Sequence, residues 1–151
     1  MRDRVNSMTS GFTILVADRN PHVRTFLGRE LAAEGYRVLT AKDGRELLRM
    51  LNDNDSPDLL VLDLELPDVS GLQILMQLQD RKPLLPIVVH TFCTEDADHP
   101  VVKEAAAFVE KTGDHIDSFM AVIERVLEDY YPQQGGGGLT REVKSKQNPN
   151  P

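Results

Sequence analysis

Five short apolar runs punctuate the chain, and each meets a polar side chain at or just past its C-terminal end. Phe12–Ala17 (FTILVA) runs into Asp18, and Leu59–Leu62 (LLVL) runs into Asp63. Ile87–Thr91 (IVVHT) ends on its own threonine, and Ala107–Glu110 (AFVE) is followed by Lys111. Tyr36–Ala41 (YRVLTA) completes the set. Short apolar runs bounded by turn residues predict strands buried on both faces, as in a parallel sheet.

Between these runs the spacing changes to that of amphipathic helices. Asn20-Pro21 predicts a helix start, with Asn as N-cap and Pro at the first helical position. Val23, Phe26, Leu27 and Leu31 then share a face, and Gly35 ends the helix. Asp43 predicts the cap of a helix with Leu47, Leu48 and Leu51 inward. Ser70 predicts the cap of another, containing Leu72, Leu75, Met76 and Gln79, apolar on a second side through Ile74 and Leu78, and broken by Pro83 and Pro86. Val101–Ala106 has room for only a short helix. Asp114 starts a last helix with a clear stripe: Ile116, Phe119, Met120, Ile123, Val126, Leu127 and Tyr130.

Strands alternating with helices imply right-handed crossovers and an α/β fold, a doubly wound five-stranded parallel sheet with helices on both faces. Ligands bind such sheets at the carboxyl ends of the strands. There this sequence gathers Asp18, Asp63, Thr91 and Lys111. Asp63 stands at the centre, as a candidate nucleophile or metal ligand. Each residue also has an ordinary reading. Asp18 can satisfy backbone donors near the first helix, and Asp63 can serve an Asx-turn. Thr91 can simply end a strand, and Lys111 can be solvated. Four different polar groups meeting on one edge favour chemistry.

The length of 151 residues fits one domain, and a formal charge of −7 argues against a nucleic-acid surface. The single cysteine, Cys93, cannot form an internal disulfide, which points to a reducing, cytoplasmic setting. No apolar run has transmembrane length, so no membrane partner is expected. The opening MRDRVNSMTS lacks the apolar centre of a secretory signal. Residues 1–11 read as a flexible N-terminus, and 132–151, with Gly135–Gly138, as a Gly-rich disordered tail. No second domain is expected after it. His22, His90, His99 and His115 show no metal-ligand spacing.

Four segments carry a family resemblance: ILVADRNP (14–21), LLVLDLELPDVSG (59–71), PIVVHT (86–91) and AAAFVEK (105–111). Together they resemble the receiver domain of bacterial two-component response regulators, over residues 12–131. The resemblance implies a flavodoxin-like sheet of order 2-1-3-4-5. It implies that Asp63 accepts a phosphoryl group from a histidine kinase or phosphotransfer protein, with Thr91 and Lys111 assisting. Phe108 matches the aromatic residue that, with Thr91, switches the output surface. Mg²⁺ ligands would be Asp18, Asp63 and the backbone carbonyl of Glu65. The expected product is a signal to a downstream protein target from a monomer or weak homodimer, with no enzyme activity beyond self-directed phosphoryl transfer.

The sequence departs from that family in four places. Arg19 stands where a second acid usually binds the metal, which weakens the site or, with its guanidinium inward, replaces the metal. Phe92 follows Thr91 where a small residue is usual, and could restrict donor access or jam the threonine. Thr112 replaces the proline after the lysine, removing the reason for a cis peptide. The short interval from Thr91 to Lys111 predicts a truncated fourth helix. Two alternatives follow: a phosphorylation-independent pseudo-receiver that uses Arg19 as its cation, and an α/β enzyme of another class using Asp63 covalently. Nothing resembles a nucleotide-binding Gly-rich loop, which disfavours the enzyme.

Overall fold

A computed structural model describes residues 11–53, 56–92, 94–111 and 116–132. In it the apolar runs form strands β1 (Thr13–Ala17), β2 (Arg37–Ala41), β3 (Leu59–Leu62), β4 (Ile87–Thr91) and β5 (Ala107–Glu110). Helices α1 (Pro21–Ala33), α2 (Gly44–Asn52), α3 (Gly71–Leu78), α4 (Pro100–Lys103) and α5 (Ile116–Tyr130) alternate with them. All neighbouring strands are parallel, in the order β2-β1-β3-β4-β5. The strand order therefore reverses between β1 and β3, and a crevice forms where the crossovers diverge.

Side chains alternate across each strand, so the sheet separates two cores. Leu15, Leu60, Leu62 and Val89 pack with Leu47, Ile74, Leu75 and Val102 beneath α2, α3 and α4. Ile14, Val16, Val61 and Val88 pack with Leu27, Leu31, Phe119 and Ile123 beneath α1 and α5. Burial of each such side chain stabilises the fold by roughly 1.5–3 kcal/mol relative to exposure. All four β3 residues are buried, as its unbroken apolar run requires.

The helix starts follow the sequence signals. Asn20 Oδ1 accepts from the amides of His22 and Val23, with Pro21 beginning α1. Asp43 Oδ1 accepts from Glu46, and Ser70 Oγ from Leu72. Two faces differ from expectation. Phe26 is 45% exposed, because it lies one residue, about 100° of helix, from the buried Leu27–Leu31 line. Met76 is 49% exposed for the same reason beside Leu75, and α3 buries Ile74, Leu75 and Leu78 instead. That helix closes at Leu78, before either proline, with Gln79 as its cap.

The fourth helix is a single turn, as its short interval demands. Its cap is His99, whose Nδ1 accepts from the Val101 amide at 3.1 Å. With so little helix above it, edge strand β5 stays only half-buried at Ala107, Phe108 and Val109. The α5 stripe packs as read, with Phe119, Ile123, Val126 and Leu127 buried. The expected helix start at Asp114, the peptide at Thr112, Cys93, His115 and all but Gly11 and Pro132 of the expected loose segments 1–11 and 132–151 lie outside the described residues. Among the described residues no helix is long and apolar enough to cross a membrane.

Candidate functional site

The parallel ladders run one residue past the strands and thereby set the site. Asp18 N–H donates to Ala41 O at 3.1 Å, and Asp63 N–H donates to Ala17 O at 3.0 Å. Lys111 N–H donates to Thr91 O at 2.9 Å. Both acids thus leave adjacent strands side by side, with the hydroxyl and the amine arriving from β4 and β5. Asp18 and Asp63 are each 2% exposed, Thr91 0% and Lys111 9%. Buried charges persist only when paired and hydrogen-bonded.

Every oxygen of the two carboxylates has a donor. Asp18 Oδ1 accepts from the Asn20 amide at 2.9 Å, and Oδ2 pairs with Lys111 Nζ at 2.7 Å. Asp63 Oδ1 accepts from the Glu65 amide at 3.0 Å and from Thr91 Oγ1 at 3.2 Å. Asp63 Oδ2 pairs with the same Lys111 Nζ at 3.1 Å. The ordinary and the chemical readings therefore coexist: each acid closes an Asx-type turn and also faces the ammonium. Two carboxylates and one ammonium leave a net charge of about −1.

Arg19 is exposed, and no ion pair joins it to Asp18 or Asp63. Of the two courses open to Arg19, inward as a fixed cation or outward beside a weakened site, its exposure matches the outward one. The lysine, arriving from β5 through the sheet register, already lies between the acids. Arg24 is a contributor that the sequence did not expose. From α1 its Nη1 donates to Asp18 O at 2.7 Å and holds the loop that carries Asp18. Glu65 is exposed, with its amide turned to Asp63. Phe92 is exposed too, and its ring centroid is 5.3 Å from Lys111 Nζ.

The oxygens fit a divalent cation in kind. Asp18 Oδ2 and Asp63 Oδ2 converge on one cationic nitrogen, so they already share a point at which positive charge is held. Hard carboxylate and carbonyl oxygens are what Mg²⁺ prefers. Lys111 is the obstacle, because it holds both of those oxygens.

Phe108 is half-buried against the core under α4, opposite Val89 in the β4–β5 register. His90, beside Thr91, points to the other layer, where its ring centroid lies 5.0 Å from that of Phe119. Burial first, and the Lys111 charge second, pull the His90 pKa down to about 4, against an opposing pull from Asp63. Beyond β3, Asp68 Oδ1 and Oδ2 accept from the amides of Gly44 and Arg45 at 2.7 and 3.0 Å, tying the loop after Asp63 to the start of α2. Those amide bonds, the Gly44 one foremost, lower the Asp68 pKa. No local pattern in the sequence could signal this grip across the fold.

Comparison with known proteins agrees with this geometry. The response regulator receiver domain family matches residues 14–123. The DNA-binding transcriptional regulator NtrC of Escherichia coli K12 is 32% identical over 123 residues, 80% of this chain and 26% of that protein. The alkaline phosphatase synthesis transcriptional regulatory protein PhoP of Bacillus subtilis is 37% identical over 94 residues, 62% of this chain and 39% of that protein. The chain thus spans well under half the length of either relative. Among solved structures, the response regulator TrrA of Thermotoga maritima, in complex with Mg²⁺-BeF, aligns with a TM-score of 0.70 at 29% identity. That match covers 77% of this chain and 99% of TrrA. A complex of the histidine kinase ThkA with TrrA gives a TM-score of 0.69 at 29% identity, covering 77% of this chain and 98% of the matched one. The chain belongs to the response regulator receiver domains of two-component signalling.

Proposed function

We propose that residues 12–131 form a receiver that accepts a phosphoryl group on Asp63 and passes the change on through protein contacts. The supporting observation is the convergence of Lys111 Nζ and Thr91 Oγ1 on the two oxygens of one buried carboxylate, at 3.1 and 3.2 Å. A carboxylate oxygen of Asp63 bonds to phosphorus as the bond from phosphorus to the donor breaks. The donor, a histidine nitrogen of a kinase or phosphotransfer protein, leaves with the electron pair. Negative charge meets negative charge in this step, so the equatorial oxygens need cations and donors. Lys111 neutralises one oxygen. The Thr91 hydroxyl turns from Asp63 Oδ1 to another. Asp18, Asp63 and the Glu65 carbonyl would hold Mg²⁺, which supplies further positive charge to the phosphoryl oxygens when bound. Movement of Thr91 and Lys111 toward the phosphoryl group repacks Phe108, and a downstream protein reads that surface. The setting is the cytoplasm, where kinase and receiver meet.

The test is incubation with acetyl phosphate and Mg²⁺, followed by intact mass. The expected result is one phosphoryl adduct, lost in Asp63→Asn. No adduct on the native chain, and none on Arg19→Asp, would overturn the reading. Lys111 lying between both acids favours a second reading, a phosphorylation-independent module with Lys111, rather than Arg19, as its internal cation. In that case partner binding is unchanged by Asp63→Asn.

A further inference from the structure

Phe92 is 65% exposed, more than Phe26, Met76 or Leu84, yet it stands directly after the buried Thr91. Its ring faces the ammonium of Lys111 at 5.3 Å from the centroid. The face of a phenyl ring is negative and attracts a cation at this range. The same ammonium pairs with Asp18 Oδ2 at 2.7 Å and Asp63 Oδ2 at 3.1 Å. Three electron-rich groups therefore hold one lysine head, two from below and one from the solvent side.

That position matters for any divalent cation. Mg²⁺ needs its oxygens at about 2.0–2.1 Å and in octahedral array. The ammonium is hydrogen-bonded to both Oδ2 atoms, so the ion competes with Lys111 for the charge and the space at these oxygens. Where the lysine yields, its withdrawal breaks the contact with the ring. We propose that Phe92 is a positioning residue that pins Lys111 across Asp18 and Asp63 and so lowers the affinity of the pocket for Mg²⁺. This rests on the reading of Asp18 and Asp63 as a cation site. An exposed cation–π contact of this kind shifts the competition roughly two- to five-fold.

The experiment is Mg²⁺ titration of the full chain, without any phosphoryl donor, by calorimetry and by amide NMR shifts around Asp63. Phe92→Leu keeps an apolar side chain and removes the π face; the site is exposed, so folding is retained. Phe92→Tyr keeps the face. The expected result is Mg²⁺ binding two- to five-fold tighter in Phe92→Leu and unchanged in Phe92→Tyr. The ring-current shift on the Lys111 side-chain signals should vanish only in Phe92→Leu. Equal affinity in Phe92→Leu and the native chain, or equal tightening in both variants, overturns the proposal while leaving the cation site intact. Arg19→Asp restores an acid beside Asp18 and serves as the control. If even that variant binds no Mg²⁺, the cation-site reading falls and takes the role of Phe92 with it.

Discussion

Replacing Lys111 by methionine keeps most of the side-chain stem and removes the charge that the two acids share. Charges at 2.7 and 3.1 Å attract by about 6 and about 5 kcal/mol at an effective dielectric near 20. Desolvation of the ammonium offsets much of that, by several kcal/mol. What remains is the penalty of two carboxylates, each 2% exposed, left facing each other without a cation. Breaking a buried pair this way costs about 3–5 kcal/mol. Urea denaturation at pH 7 in EDTA should show Lys111→Met less stable by that amount. Added Mg²⁺ should stabilise the variant more than the native chain, since the cation no longer competes with an ammonium. A variant as stable as the native chain in EDTA, with no larger gain from Mg²⁺, would refute the account of Lys111 as the internal cation.

Two further outcomes follow from the packing around the site. His90 is half-buried and neutral with its folded pKa near 4, below the unfolded value of about 6.5. The unfolded chain therefore takes up the proton first, and stability falls as pH drops through that window, by about 2 kcal/mol between pH 7 and pH 5. His90→Leu should remove that share of the pH dependence in paired denaturation curves, and identical slopes for both proteins would count against it. At Gly71, an added Cβ would lie 2.5 Å from Leu64 Cα and 2.9 Å from its carbonyl oxygen, both backbone atoms. Gly71→Ala should cost about 1–3 kcal/mol by overpacking, and an unchanged melting temperature would contradict the close approach.

What the chain reveals in one dimension is what depends on near neighbours. The strands stood out because β3 is apolar and buried throughout, and β1 and β4 each carry a run of at least three buried apolar residues. The capping residues Asn20, Asp43 and Ser70 act within three positions of themselves and were equally plain. The pairing of Asp63 with Lys111 spans 48 positions, yet it was legible because parallel strands deliver their ends to one edge. The misreadings have the same origin. Phe26 and Met76 are apolar and helical, but which flank of a helix meets the sheet is settled by tertiary contact. Asp68 on α2, Arg24 on the Asp18 carbonyl and the fate of Arg19 all depend on side chains crossing between elements. No periodicity encodes those.

The separation of the interior by the sheet gives the edge strand an odd–even grammar. Phe108 belongs to the layer under α4, and its neighbour Val109 to the layer under α1 and α5. A change of side chain at Phe108 therefore meets one layer directly, and a change at Val109 meets the other. The two sides of the sheet can be repacked from alternate positions of one strand.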